Sequence, residues 1–339
     1  LWEFTDPDLG YTYGQPTILK TRAYGWVVVI GSGYNNSDGK GYIFILNART
    51  GERILKLDTG AGEPTAPAGL AHVQGFVLDL TDGTADSLYA GDLLGNVWRV
   101  DVTATDGNYP APLHLAQLKD SNDKALPITS RVTPMVQPGT NRRFVTVGTG
   151  RLLHANDISS SQGQTLFAII DGTAARFGQA TTLPPGISYP IVRSKLKQLS
   201  DLQTGIVLNL STQIGWYIDL GAIGAGPGWR VIDDPIAFYG IVAFTSIAPT
   251  SSDVCKPGGN SRVYAIDLGT GVSALPSKQA YLDFAGLVPN IDWYSYKGNP
   301  YVVPTVCDAD GCKSQPVKIN PASGLGVRRL NWREIPQTN

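Results

Sequence analysis

Short apolar runs alternate with glycine-rich polar turns along most of the chain. Trp26-Val27-Val28-Val29-Ile30 is continuously apolar and stops at Gly31-Ser32-Gly33, the pattern of a strand covered on both faces. Tyr42–Leu46, a polar turn over Asn47–Gly51 and Arg53–Leu57 together predict a hairpin. The unit recurs. Ser87–Asp92 leads through Leu93-Leu94-Gly95 into Asn96–Asp101. Arg143–Gly150 echoes the first run, and Thr165–Gly172 echoes Tyr42–Gly51. Arg262–Gly271 is the clearest repeat, and a weaker one, Pro316–Gly324, comes near the end.

The shared pattern is an aromatic and apolar strand, then Asp or Asn, then small residues and Gly. One such unit cannot bury its own face, so repetition predicts a propeller or solenoid. Spacing between units varies from about 40 to nearly 100 residues, which predicts an all-β, distorted β-propeller of about seven blades with loop insertions. No Pro/Ser linker divides the chain, so residues 1–339 are expected to form a single propeller domain. Thr103–Ser130 reads as an insertion loop. Within Tyr189–Gln203, Leu196, Leu199 and Leu202 have helical spacing, and the stretch reads either as a short helix or as blade strands.

Composition supports strands: 39 Gly and 23 Pro are spread throughout, with one Met. Only 16% of residues are charged and the net charge is -1, which excludes a general nucleic-acid binder needing a basic face. No run of 18 apolar residues occurs, so no transmembrane segment is expected. Leu1 opens on strand-like sequence without a signal peptide, as expected of a C-terminal fragment of a longer protein.

Of the cysteines, Cys307 and Cys312 flank the turn-forming Asp308-Ala309-Asp310-Gly311. They read as a disulfide pinning a hairpin tip, worth roughly 2 kcal/mol of loop entropy and implying an oxidising compartment. Two free thiols are the alternative. Cys255 is either free or paired outside this chain.

Several stretches resemble one family, the PilC/PilY proteins of type IV pili. These are the opening Leu1–Pro16, Ser32–Tyr42, the segment Tyr89-Ala90-Gly91-Asp92-Leu93-Leu94-Gly95-Asn96-Val97-Trp98-Arg99, and the ending Arg328–Ile335. Residues 105–255 match only loosely. The resemblance implies a non-enzymatic module for pilus assembly, retraction control and adhesion. Its implied partners are pilins, minor pilins or other pilus components and a host or abiotic surface. Its implied location is the cell surface or pilus tip, the outer membrane or the periplasm of a Gram-negative bacterium. No Arg-Gly-Asp tripeptide supports an integrin-type contact.

The resemblance also implies a calcium loop just before Tyr89. Such a loop places oxygen ligands at alternate positions, with Gly at the sharp turn. Counting back from Asp86 as position nine puts Asp82 at five, Gly83 at six and the Thr84 carbonyl at seven. Leu78 and Leu80 fall at one and three and cannot coordinate, and Asp79 is one place out of register. Asp79, Asp82, Thr84 and Asp86 are therefore the expected metal ligands, in a depleted loop of weakened affinity. The alternative is an Asp-Gly turn with water-facing carboxylates. Asp308–Gly311 and Asn35–Gly39 are lesser candidates for a metal, the second also for a sugar.

Enzymatic readings find little. Asn47–Glu52 and Asp267–Gly271 resemble blades of quinoprotein dehydrogenases, but Trp98 and Trp332 sit in the pilus-family motifs. His72, His114 and His154 are scattered without metal or triad spacing. An envelope scaffold propeller is the other non-enzymatic reading, and the Tyr89–Arg99 and Arg328–Ile335 motifs weigh against it.

Overall fold

The computed structural model describes residues 1–171, 183–221, 228–250, 258–308 and 311–321. Cys255 and the Arg328–Ile335 motif lie outside them.

Each expected hairpin forms part of an antiparallel sheet. The first sheet is β1 (Thr17–Thr21), β2 (Gly25–Gly31), β3 (Tyr42–Asn47) and β4 (Arg53–Asp58), paired in chain order. The second repeats the plan with β5 (Val73–Phe76), β6 (Ser87–Gly91), β7 (Asn96–Asp101) and β8 (Leu113–Gln117). The third begins with β9 (Thr133–Val136), β10 (Arg143–Gly148) and β11 (Thr165–Ile170). The chain then passes β12 (Ile191–Val192), which adds in parallel to β8, and β13 (Lys197–Gln198). β14 (Gly215–Asp219) completes the third sheet against β11, with β13 parallel at its edge.

The fourth sheet is β15 (Ile236–Phe238), β16 (Ile241–Pro249), β17 (Gly259–Asp267) and β18 (Leu282–Ala285). In the fifth, β19 (Leu287–Tyr296) and β20 (Asn299–Asp308) form a long hairpin, with β21 (Gly311–Ser314) and β22 (Val317–Lys318) both on β20. The architecture is a distorted propeller. Five sheets form among the described residues, against the expected count of about seven blades.

The side-chain period of two organises the core. In β6, Leu88 and Ala90 join the cluster shared with the first sheet, while Tyr89 between them joins the cluster shared with the third and fourth. A third cluster lies between the fourth and fifth sheets. The middle strands β3, β6, β10 and β11 are buried almost throughout, because each is sandwiched between neighbouring sheets. Trp26 departs from this expectation. It starts β2 at the rim and is exposed. The remaining face of the first sheet, Val28, Tyr42, Phe44 and Leu46, is covered by Phe4 and Leu9 of the N-terminal segment.

One reading of the sequence needs correction, and one left open between helix and strands resolves toward short strands. Thr103–Ser130 is not wholly an insertion loop, because it contains β8, the fourth strand of the second sheet. Leu196, Leu199 and Leu202 are not on an α-helix. A single 3₁₀ turn over Arg193–Lys195 leads into the short β13, and all three leucines are buried in the cluster around the third sheet.

Asp233, just before β15, carries a pH dependence. Burial, reinforced by the charge of neighbouring Asp234, pushes its carboxyl up to about 7 from an ordinary 3.8. A carboxyl raised on folding stabilises the fold fully below its unfolded value, and that contribution is lost as pH rises through about 7. The melting temperature is therefore expected to fall by roughly 4 °C between pH 5 and pH 8, at about 1–2 °C per kcal/mol for a domain of more than 300 residues. Burial also holds His72 below its ordinary 6.5, and charging it opposes stability in acid. The comparison is thus made between wild type and Asp233→Asn, which should lose most of the slope and melt higher at pH 8. Parallel slopes in the two proteins would refute the assignment.

Candidate functional site

The Tyr89–Arg99 segment is the β6–β7 hairpin, and two buried carboxylates hold it. Asp92 sits at the turn. Its Oδ1 accepts from the backbone N–H groups of Leu94 and Asn96, each at 2.9 Å, and its Oδ2 accepts from Asn96 Nδ2 at 2.8 Å and Trp98 Nε1 at 3.0 Å. Burial outweighs these bonds and pushes the Asp92 carboxyl above the ordinary range. The side chain stabilises a tight turn whose apex is Leu93. Gly95 follows at φ 77°, where an added Cβ would lie 2.4 Å from the Leu118 carbonyl oxygen, so only glycine fits.

The strands of the hairpin converge on Asp171, the last described residue after β11. Tyr89 Oη donates to Asp171 Oδ2, and the Arg99 guanidinium pairs with Oδ1. Arg143 of β10 reaches the same carboxylate at 3.1 Å and lies over the rings of Phe76 and Tyr89. Asp171 is fully buried and Arg143 is 1% exposed. Burial, and then the Asp171 charge, raise the Tyr89 phenol well above its ordinary value, so it remains a donor. A two-cation, one-anion cluster thus ties the second sheet to the third.

The expected calcium loop joins β5 to β6. Asp79 Oδ1 accepts from the Thr81 backbone and hydroxyl at 2.8 and 2.6 Å, and Asp82 Oδ1 from those of Thr84 at 2.7 and 2.8 Å. These turn bonds hold both carboxyls below the ordinary carboxylate range. Asp86 is buried. Its Oδ2 accepts from Leu78 N at 2.9 Å, and its Oδ1 faces the Arg22 guanidinium at 3.3 Å. Arg22 also lies 3.7 Å from Asp82, and Lys20 Nζ reaches the Asp82 carbonyl at 3.4 Å. Thr84 is buried with its backbone bridged to Lys20 of β1.

These residues do not fit a calcium ion. The ion needs six to eight converging oxygens, whereas a guanidinium stands between Asp82 and Asp86, and Asp79 and Asp82 each commit one carboxylate oxygen to a turn. No cluster of three His, Cys, Asp or Glu side chains able to hold a metal occurs among the described residues. Two measurements check this. Millimolar Ca²⁺ is expected to shift the melting temperature by less than 1 °C relative to a chelator, whereas Arg22→Ala is expected to lower it by a few degrees by stranding the buried Asp86 carboxylate. Calcium-dependent stabilisation of the wild type would overturn this account.

At the fifth sheet, Cys307 and Cys312 are directly paired across β20 and β21 and joined by a disulfide, with Cα atoms 4.0 Å apart. Asn36, within the Asn35–Gly39 candidate, spends its amide on the Asp8 and Lys40 carbonyls and on Asp38, so that polar cluster knits the β2–β3 connection to the N-terminal segment. His114 stacks on Trp98 at 4.7 Å, and His154 caps a one-turn helix, α1 (Ala155–Ile158). Arg22 and Asp171 escape a reading of the sequence. Each is remote in sequence from its partners, and the one local signal, the Asp171-Gly172 pair, reads as ordinary turn chemistry.

Comparison with known proteins agrees with this geometry. Residues 4–188, over half of the chain, match the family model described as the PilY1 beta-propeller domain. The chain is 32% identical over 304 residues to a type IV pilus biogenesis factor PilY1 homolog of Xylella fastidiosa, covering 81% of this chain and 20% of that protein. It is 28% identical over 408 residues to the type IV pilus biogenesis factor PilY1 of Pseudomonas aeruginosa, covering 100% of this chain and 34% of that protein. The chain therefore spans about a third or less of the length of these relatives. The crystal structure of the Pseudomonas aeruginosa PilY1 C-terminal domain superposes with a TM-score of 0.71 at 24% identity, covering 93% of this chain and 73% of that one. At that identity the superposition speaks for the fold. On the family match, which takes in the Tyr89–Arg99 hairpin, the chain belongs to the PilY1 β-propeller family.

Proposed function

We propose that this chain is the propeller module of a type IV pilus biogenesis factor, a non-enzymatic binding and assembly unit of the cell envelope. The observation that carries the reading is the family match over residues 4–188. Its relatives in Xylella fastidiosa and Pseudomonas aeruginosa are named as pilus biogenesis factors. The partners of the module are pilins and minor pilins, and its place is the cell surface or pilus tip of a Gram-negative bacterium, where it takes part in retraction control and adhesion. The Cys307–Cys312 disulfide suits an oxidising compartment. No described helix is long and apolar enough to cross a membrane. Calcium does not enter the reading, because the Asp79–Asp86 loop is pinned by Arg22.

The test is genetic. A deletion strain is expected to lose surface pili and twitching and to regain both from a plasmid copy of the full-length gene. Normal piliation and motility without the protein would refute the proposal.

A further inference from the structure

Neighbouring strands alternate in direction, so the connections between the second and third strands of successive sheets emerge at the same end of the propeller. Three of them, β2–β3, β6–β7 and β10–β11, line a cleft of about 670 Å³ together with the N-terminal segment. They bring Tyr34 and Asn35, Leu93, and Arg151–His154 with Asp157, respectively. Loops gathered on one face of a rigid scaffold are where binding sites concentrate.

One wall is a row of tyrosines. Tyr11 and Tyr34 exchange backbone hydrogen bonds of 2.7 and 3.0 Å. The approach requires Gly33 at φ 76°, where a Cβ would lie 2.3 Å from the Tyr11 carbonyl oxygen. The rings of Tyr11, Tyr13 and Tyr34 follow one another at 6.4 and 6.2 Å. Tyr34 is buried, but Tyr11 is 62% and Tyr13 76% exposed. Two aromatics left this open beside a third form an apolar surface of the kind that marks an interaction site.

Another part of the lining is polar and electrically balanced. Arg151 donates to Asp157 Oδ1 through Nε at 2.9 Å and lies 2.8 Å from it through Nη2. Asp157 Oδ2 accepts the backbone N–H groups of Leu153 and His154 at 2.9 and 3.0 Å, so the carboxylate is fixed and holds the half-exposed guanidinium in place. One cation and one anion cancel, so nothing here selects a phosphate or an acidic chain. The backbone of the tyrosine wall is already paired internally, which disfavours strand addition by a peptide. Flat apolar ring faces and directional donors lining one cleft, with Asn35 exposed among them, suit a ligand that is apolar on its ring faces and hydroxylated at its rim.

We propose that this cleft is a saccharide-binding site for a neutral pyranoside. Tyr11 and Tyr13 stack on the C–H faces of the sugar, while Asn35 and Arg151 bond its hydroxyls. The site is independent of the pilus reading, since it is tested on the purified chain.

The experiment is saturation-transfer NMR and fluorescence titration of the purified protein with a panel of neutral hexoses, N-acetylhexosamines and their disaccharides, alongside a uronic acid and a proline-rich peptide. At least one neutral saccharide is expected to bind, and the uronic acid to bind more weakly than its neutral parent. Tyr11→Ala and Tyr13→Ala change exposed side chains and should leave the melting temperature within about 2 °C, yet each should weaken binding tenfold or more. Tyr13→Phe should bind nearly as well as wild type. Three results would overturn the proposal: no saccharide binding at millimolar concentration, binding that survives the Tyr11→Ala/Tyr13→Ala double substitution, or binding of the proline-rich peptide alone.

Discussion

Asp171→Ala is expected to lower the melting temperature by about 5 °C or more. The carboxylate it removes is fully buried, and three groups converge on it: the Tyr89 phenol, the Arg99 guanidinium and the Arg143 guanidinium. Breaking a buried ion pair by deleting one partner costs about 3–5 kcal/mol, because the opposite charge stays desolvated. Here one deletion removes the buried acceptor shared by a phenol and two guanidiniums. At about 1–2 °C per kcal/mol for a domain of more than 300 residues, the loss exceeds that of an ordinary surface substitution severalfold. Asp171→Asn keeps a hydrogen-bond acceptor and loses the charge, so it should fall between Asp171→Ala and wild type. Tyr89→Phe removes one bond of the cluster and should cost about 1 kcal/mol. Calorimetry on the three variants gives the ordering. An Asp171→Ala protein melting within 2 °C of wild type would refute the cluster as a fold determinant.

The cluster also marks where the sequence was legible. The runs Tyr42–Leu46, Ser87–Asp92, Arg143–Gly148 and Thr165–Ile170 became β3, β6, β10 and β11, because a strand buried on both faces is apolar at most positions and its few polar side chains need buried partners. Outer strands leave weaker traces. β8, Leu113–Gln117, carries a His and a Gln and follows Pro110 and Pro112, so it was indistinguishable from a loop. The two-residue parallel strands β12 and β13 have no periodicity to read. Leu196, Leu199 and Leu202 imitate a helix because an irregular segment laid on the third sheet turns a side chain inward every third residue.

Charge partners were the least legible. Arg22 meets Asp86 from 64 positions away, and Arg99 meets Asp171 from 72, and nothing local to either carboxylate announces a guanidinium. That is why an acidic loop resembling a calcium site could be located by spacing, while the guanidinium beside its carboxylates could not.

Asp92→Ala should have the other large effect, and it reaches the binding face as well as stability. The Asp92 carboxylate is the common acceptor for two backbone and two side-chain donors within the β6–β7 turn. Alanine leaves all four without it, in a place where Asp92 and Asn96 are buried. At about 1–3 kcal/mol for each buried donor left unsatisfied, and with some of the four recovering water, the expected cost is about 3–4 kcal/mol, or roughly 5 °C. Asp92→Asn should lose about half as much. Its carbonyl oxygen can keep the Leu94 and Asn96 backbone donors, but its amide then faces Trp98 Nε1, which can only donate. The near-ultraviolet circular dichroism of Trp98 should change in both variants, in proportion to the lost stability. Because Leu93 is the apex of this turn and lines the tyrosine cleft, Asp92→Ala should also weaken any cleft ligand well below its melting temperature. An Asp92→Ala protein with wild-type melting and an unaltered tryptophan signal would show that the turn holds itself, and that the carboxylate at the centre of the Tyr89–Arg99 hairpin serves some other end.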